Sequence, residues 1–131
     1  MTAVVDASIV ITLLANPTPD ELLRRRFSGM RMVHAPHLID AEVASGLRGL
    51  LLGRKITIDR VAQILEIYRK LPLVRHPMTP SLPRVMQLRD NFTAYDACYV
   101  AVAEATRLPL LTRDAKFERA VGHRAHIQVH P

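Results

Sequence analysis

A chain of 131 residues, 49% apolar and 23% charged, is long enough to bury a core and too apolar to be disordered. A single cysteine, Cys98, excludes an internal disulfide framework and reads as a small buried filler in a reducing compartment. Eighteen Lys and Arg against twelve Asp and Glu leave a net charge of +6, which favours a polyanionic partner because phosphate contacts release counterions.

Ala3-Val4-Val5 is a short apolar run ending at Asp6, as expected of a buried strand. Ser8 opens an apolar helix from Ile9 to Ala15, closed by Asn16-Pro17. The apolar stretch Val4 to Ala15 is broken by Asp6, too short to span a bilayer and preceded by no basic lead. A cytoplasmic location without membrane contact is therefore expected. Pro19-Asp20-Glu21 starts a second helix whose acids precede Arg24, Arg25 and Arg26, an order that suits the helix dipole.

Met32 to Ala35 reads as the second strand, followed by a helix over Leu38 to Leu52 that Gly53 stops. Thr57 is an N-cap candidate for a helix reaching Lys70. Leu73-Val74 is a weak strand before the turn at 77–80, and a helix covers Leu82 to Arg89. Thr93 to Arg107 is the clearest helix of the C-terminal half. Leu108 to Leu111 gives a strand, Ala115 to Val121 a short helix and Ile127 to Val129 a last strand. Strands alternating with helices predict an α/β fold with a parallel sheet covered on both faces, in one domain over residues 1–131.

Four acids stand where acids are costly. Asp6 ends a buried strand; its alternative role is an N-cap for the helix through Ile9. Glu42 borders the apolar stripe made by Leu38, Ile39, Val43 and Leu47, while Asp40 points about 160° away on the helical wheel. Asp96 fits a capping box with Thr93, yet shares a face with the core-facing Tyr99, Val100 and Ala103. Asp114 lies just beyond the strand through Leu111 and is another N-cap candidate.

Taken together, Asp6 and Asp114 occupy carboxyl ends of strands, where open parallel sheets place their sites, and Glu42 and Asp96 sit on helices able to reach that edge. Converging carboxylates repel, and a divalent cation resolves the repulsion; oxygen ligands select Mg²⁺ or Mn²⁺ over Zn²⁺. Such an ion beside a basic surface is equipment for phosphodiester hydrolysis.

Val4-Val5-Asp6-Ala7-Ser8, Glu42, Tyr95-Asp96-Ala97 and Leu111-Thr112-Arg113-Asp114 resemble, in order and spacing across the whole chain, the PIN-domain nucleases, and within them the VapC-type toxins of bacterial toxin–antitoxin pairs. The resemblance implies a three-layer α/β/α fold around a parallel sheet of four to five strands. It implies that Asp6, Glu42, Asp96 and Asp114 form an acidic quartet for Mg²⁺ or Mn²⁺, with Ser8 near metal or phosphate and Thr112 supporting the last acid. It further implies an endoribonuclease leaving a 5′-phosphate and a 3′-hydroxyl, a homodimer, and a VapB-type antitoxin as partner. Asp40 remains an alternative second acid, and Glu118 is the one later acid available to extend the ligand set.

Rival readings carry less. His123, His126 and His130, with His34 and His37 as helpers, have no matching Cys or carboxylate cluster and read as surface or tail histidines. There is no Gly-rich phosphate loop and no Cys pair for zinc, and Ser8 has no evident His partner. A phosphoacceptor receiver domain needs paired acids after the first strand, where Asp6 stands alone. The remaining alternative is a catalytically silent RNA- or protein-binding module of the same fold.

Overall fold

The computed structural model describes residues 2–131. Five strands, β1 (Thr2–Val5), β2 (Met32–Pro36), β3 (Leu73–His76), β4 (Leu110–Thr112) and β5 (Ile127–Val129), form one sheet in the order β3-β2-β1-β4-β5. Every pairing is parallel, so all carboxyl ends lie on one edge. The helices are α1 (Ala7–Ala15), α2 (Glu21–Ser28), α3 (Leu38–Leu52), α4 (Ile58–Arg69), α5 (Leu82–Gln87), α6 (Ala94–Thr106) and α7 (Lys116–Arg119), with a 3₁₀ turn over Thr79–Ser81.

From β1 the chain steps outward through β2 to β3, then returns to the other side of β1 for β4 and β5. Right-handed crossovers therefore put the early and late helices on opposite faces, giving three layers. α1 packs on α3 and α4, whereas α6 lies against β1, β2 and β4 and carries α5. The order reverses between β1 and β4, and this switch point is where a doubly wound sheet opens a crevice.

Burial explains the apolar runs. Ala3, Val4 and Val5 are covered on both faces, as the central strand of such a sheet requires. α1 and α3 approach closely at Gly46, where a Cβ would stand 3.0 Å from Cδ1 of Ile11.

Several boundaries differ from the sequence expectation: β3 runs on to His76 and α5 stops at Gln87, and three more changes have a visible cause. α1 begins at Ala7 with Asp6 as its N-cap, accepting from the Ile9 amide at 3.2 Å; Ser8 sits inside the first turn and donates to the same carboxylate. β4 starts at Leu110, because Pro109 has no N–H to give the ladder, and it runs on through Thr112. α7 ends at Arg119, since Ala120 turns extended and its carbonyl bonds the His123 ring. Thr57 and Thr93 cap α4 and α6 as expected.

Candidate active site

The carboxyl edge at the switch point gathers the N-termini of α1, α3 and α6, whose exposed amides and dipoles favour negative charge. Asp6 stands there, 7% exposed. Ser8 donates to its Oδ1 at 2.5 Å, and Thr112 donates to Oδ2 from the end of β4. Burial pushes the Asp6 carboxyl above its ordinary range, the hydroxyl and amide donors pull it back, and the nearby charge of Asp96 adds to the rise.

Glu42 extends from the start of α3 to meet α6, where the Tyr99 hydroxyl donates to Oε1 at 2.5 Å. Burial raises this carboxyl too; the Tyr99 bond opposes the rise, and the charges of Asp96 and Asp6 reinforce it. The phenol of Tyr99 is driven upward by burial and by its Glu42 partner.

Asp96 and Asp114 share a different neighbour. The ammonium of Lys116 lies 2.8 Å from Asp96 Oδ2 and 3.2 Å from Asp114 Oδ2. The capping box expected at Asp96 is half formed: Thr93 accepts from the Asp96 amide at 3.2 Å, while the Asp96 carboxylate turns to Lys116. At α7, Ala115 is the flanking residue and makes no side-chain cap; Asp114, one position earlier, satisfies the first helical amide, its Oδ1 accepting from Lys116 at 3.0 Å. The Asp114 amide donates to Thr112 Oγ1 at 3.0 Å, so Thr112 links Asp6 to Asp114.

Asp40 belongs elsewhere. Arg75 clamps it through contacts of 2.8 to 3.1 Å and Tyr68 donates to it at 2.7 Å; the Arg75 guanidinium holds its carboxyl below the usual range. Glu118 is exposed. Among the described residues no three His, Cys, Asp or Glu side chains are drawn together closely enough to hold a metal ion. Each acid of the quartet is instead answered locally, by hydroxyls at Asp6 and Glu42 and by an ammonium at Asp96 and Asp114. The donor set nonetheless fits a hard divalent cation: it is all carboxylate and hydroxyl oxygen, the charge of Asp96 reaches both Asp6 and Glu42, and the set already holds one cation between two of its members.

Two clefts of about 460 Å³ each flank the acids, one lined by Arg89, Asn91, Thr93, Asp96 and Lys116, the other by Ser8, Thr12, Glu42, Gly46 and Arg113. A larger cavity, about 610 Å³, lies beside Glu104, Arg107 and Arg124, and none of the four acids lines it. Asp96 and Glu42 line the two smaller clefts, one acid in each.

Three neighbours escape a reading built on acids. Tyr99 has a signal in its place three residues after Asp96, on the same helical face, because a buried phenol needs an acceptor. Lys116 and Arg113 have none beyond adjacency to Asp114; the Arg113 amide donates to Ser8 Oγ at 3.2 Å and its guanidinium to Thr12 Oγ1 at 3.1 Å. Among the histidines, His130 is a correction: it is buried, with Nε2 2.9 Å from Asp20 Oδ2, because it directly follows β5, its amide donates to the Thr112 carbonyl at 2.7 Å, and Asp20, the N-cap of α2, meets its ring.

A parallel three-layer sheet with carboxylates at its switch point defines the PIN class of fold. The PIN-domain family profile matches residues 3–122, and the chain belongs to that family. Within it, the similarity is to VapC ribonucleases. Ribonuclease VapC9 of Mycobacterium tuberculosis is 38% identical over 113 residues, covering 86% of each chain. Ribonuclease VapC12 of the same organism is 32% identical over 126 residues, covering 96% of this chain and 97% of the relative. Among solved structures, FitAcB from Neisseria gonorrhoeae superposes with a TM-score of 0.71 at 19% identity, covering 97% of this chain and 96% of the other. VapBC2 from Rickettsia felis, bound to a DNA fragment from its promoter, gives 0.70 at 16% identity with 98% of both chains covered.

Proposed function

We propose that this chain is a single-domain endoribonuclease spanning residues 1–131, the toxin of a VapBC-type toxin–antitoxin pair. One observation carries the chemistry: the charge of Asp96 reaches both Asp6 and Glu42 at the switch point and adds to the rise that burial causes in each, while Asp96 and Asp114 draw a cation between them. The relatives named VapC ribonuclease, at 32 to 38% identity, supply the substrate class.

Asp6, Glu42, Asp96 and Asp114 would hold Mg²⁺ or Mn²⁺, with Ser8 and Thr112 fixing Asp6 and Tyr99 fixing Glu42. When bound, the ion supplies an activated water and polarises the phosphoryl oxygen. Arg113 on one side and Arg89 on the other line the clefts along which an RNA strand would run, placing its backbone over the acids. A VapB-type antitoxin, a second copy of the chain and RNA are its expected partners, in the cytoplasm. No helix among the described residues is long and apolar enough to cross a membrane.

The test is RNA cleavage with Mg²⁺, with Mn²⁺ and with EDTA, run beside Asp6→Ala and Asp96→Ala. Metal-dependent cleavage lost in both variants, with circular dichroism unchanged, is the expected result. Folded wild-type protein that cleaves no RNA under any metal would instead indicate a binding module. Unfolding of both variants would assign these acids to helix capping.

A further inference from the structure

Among the described residues, Lys116 is the one full positive charge within ion-pair distance of the quartet. Its geometry is set by its own turn: the amide donates to Asp114 Oδ1 at 3.0 Å while Nζ reaches Oδ2 of the same residue at 3.2 Å and Asp96 Oδ2 at 2.8 Å. The adjacent Phe117 is buried, which pins the base of the side chain. The head is free to leave, because the Lys116 side chain is 57% exposed on a flexible four-carbon stem.

The oxygens that Lys116 touches belong to the acids assigned above to the metal. A Mg²⁺ ion binds carboxylate oxygen at about 2.0–2.1 Å, so an ion drawing on Asp96 Oδ2 and Asp114 Oδ2 would compete with the ammonium that now holds both. Once displaced, the ammonium has somewhere to go: Lys116 also lines the cleft formed with Arg89, Asn91 and Thr93.

We infer that Lys116 is a tethered cation that competes with the divalent metal for Asp96 and Asp114, so that metal entry releases it into the adjoining cleft. The inference rests on the reading of the quartet as a metal site. It separates Lys116 from an ordinary surface ion pair, whose loss would leave metal affinity alone.

Manganese binding to the purified full chain, followed by the electron paramagnetic resonance of free Mn²⁺, tests this without reference to cleavage. Lys116→Met is expected to tighten Mn²⁺ binding by about two- to fivefold, the upper part of the range for releasing exposed ion pairs. Lys116→Arg, which keeps a cation in reach, is expected to bind no more tightly than wild type. Arg89→Met removes a charge from the same cleft without vacating the carboxylates, and should shift affinity by less than about twofold because salt screens it. The rise in melting temperature on adding Mn²⁺ should be larger for Lys116→Met than for wild type. Unchanged or weaker binding by Lys116→Met overturns the inference, as does equal tightening by Arg89→Met. If wild type binds Mn²⁺ and Asp96→Ala does not, while Lys116→Met matches wild type, competition fails and the metal site stands. If neither wild type nor Lys116→Met binds Mn²⁺, the metal site and the inference fall together.

Discussion

Thr112 donates its hydroxyl to Asp6 across the seam between β4 and β1, joining two strand ends 106 positions apart in sequence. The same oxygen accepts from the Asp114 amide at 3.0 Å, so one buried hydroxyl orients acids on two strands. Thr112→Val keeps the shape and removes both bonds. It should destabilise the chain by about 1–3 kcal/mol, the cost of leaving buried partners unsatisfied, read by urea denaturation. Cleavage should fall about 10–100-fold, as for loss of a residue that orients metal ligands.

Tyr99 plays the corresponding part for Glu42, from the opposite helical layer. Tyr99→Phe keeps the packing of a ring that is 2% exposed and deletes its only polar atom. The expected loss of stability is about 1 kcal/mol. Metal affinity should weaken at least as clearly as stability, because Glu42 then loses the donor that fixes its rotamer. Mn²⁺ titration of folded Tyr99→Phe checks this; unchanged affinity would make Tyr99 a packing residue alone.

How far the sequence disclosed these arrangements depends on the range of the interaction. Strands and helices were legible from the apolar runs and caps, because Val4-Val5 or Thr93 act on neighbours a few residues away. Asp6 was legible as both a costly acid and a cap, and the structure shows it capping α1 while bonded to Thr112. Bonds that depend on two distant segments meeting were not: nothing local pairs Lys116 with Asp96, and the helical face that marks Tyr99 as needing an acceptor does not name Glu42. His130 was misread for the same reason, since only the docking of α2 beside β5 buries it against Asp20.

Away from the site, Arg84 grips Glu104 through Nε at 2.7 Å and Nη2 at 2.9 Å, and the Arg124 amide donates to the same carboxylate at 2.7 Å. Its side chain is only 9% exposed. The Arg84 bonds hold the Glu104 carboxyl below its ordinary range, so its stabilisation is full above the unfolded value near 4.3 and is lost as pH falls through the lower folded value. Glu104→Gln should therefore cost about 1–3 kcal/mol at pH 7. The gap between variant and wild type should narrow as denaturation is followed to lower pH below about 4.3. A gap that stays constant with pH would assign the loss to packing rather than to charge.

Arg113 offers the sharpest test of how RNA lies in the site. Its amide is tied to Ser8 and one guanidinium nitrogen to Thr12, which holds the head group over the cleft that Glu42 also lines. A guanidinium so held meets a phosphate without ordering a free side chain, and each phosphate neutralised on a single strand contributes about 0.7 to the slope of log affinity against log salt. Arg113→Ala, made in an Asp96→Ala background so that the RNA stays intact, should weaken binding and flatten that slope by roughly one contact. The weakening should be similar across RNAs of different sequence, because phosphate contacts carry no base information. Weaker binding with an unchanged slope would mean that Arg113 acts by bracing α1 against the last acid, and the path of the strand would then have to be sought on the Arg89 side.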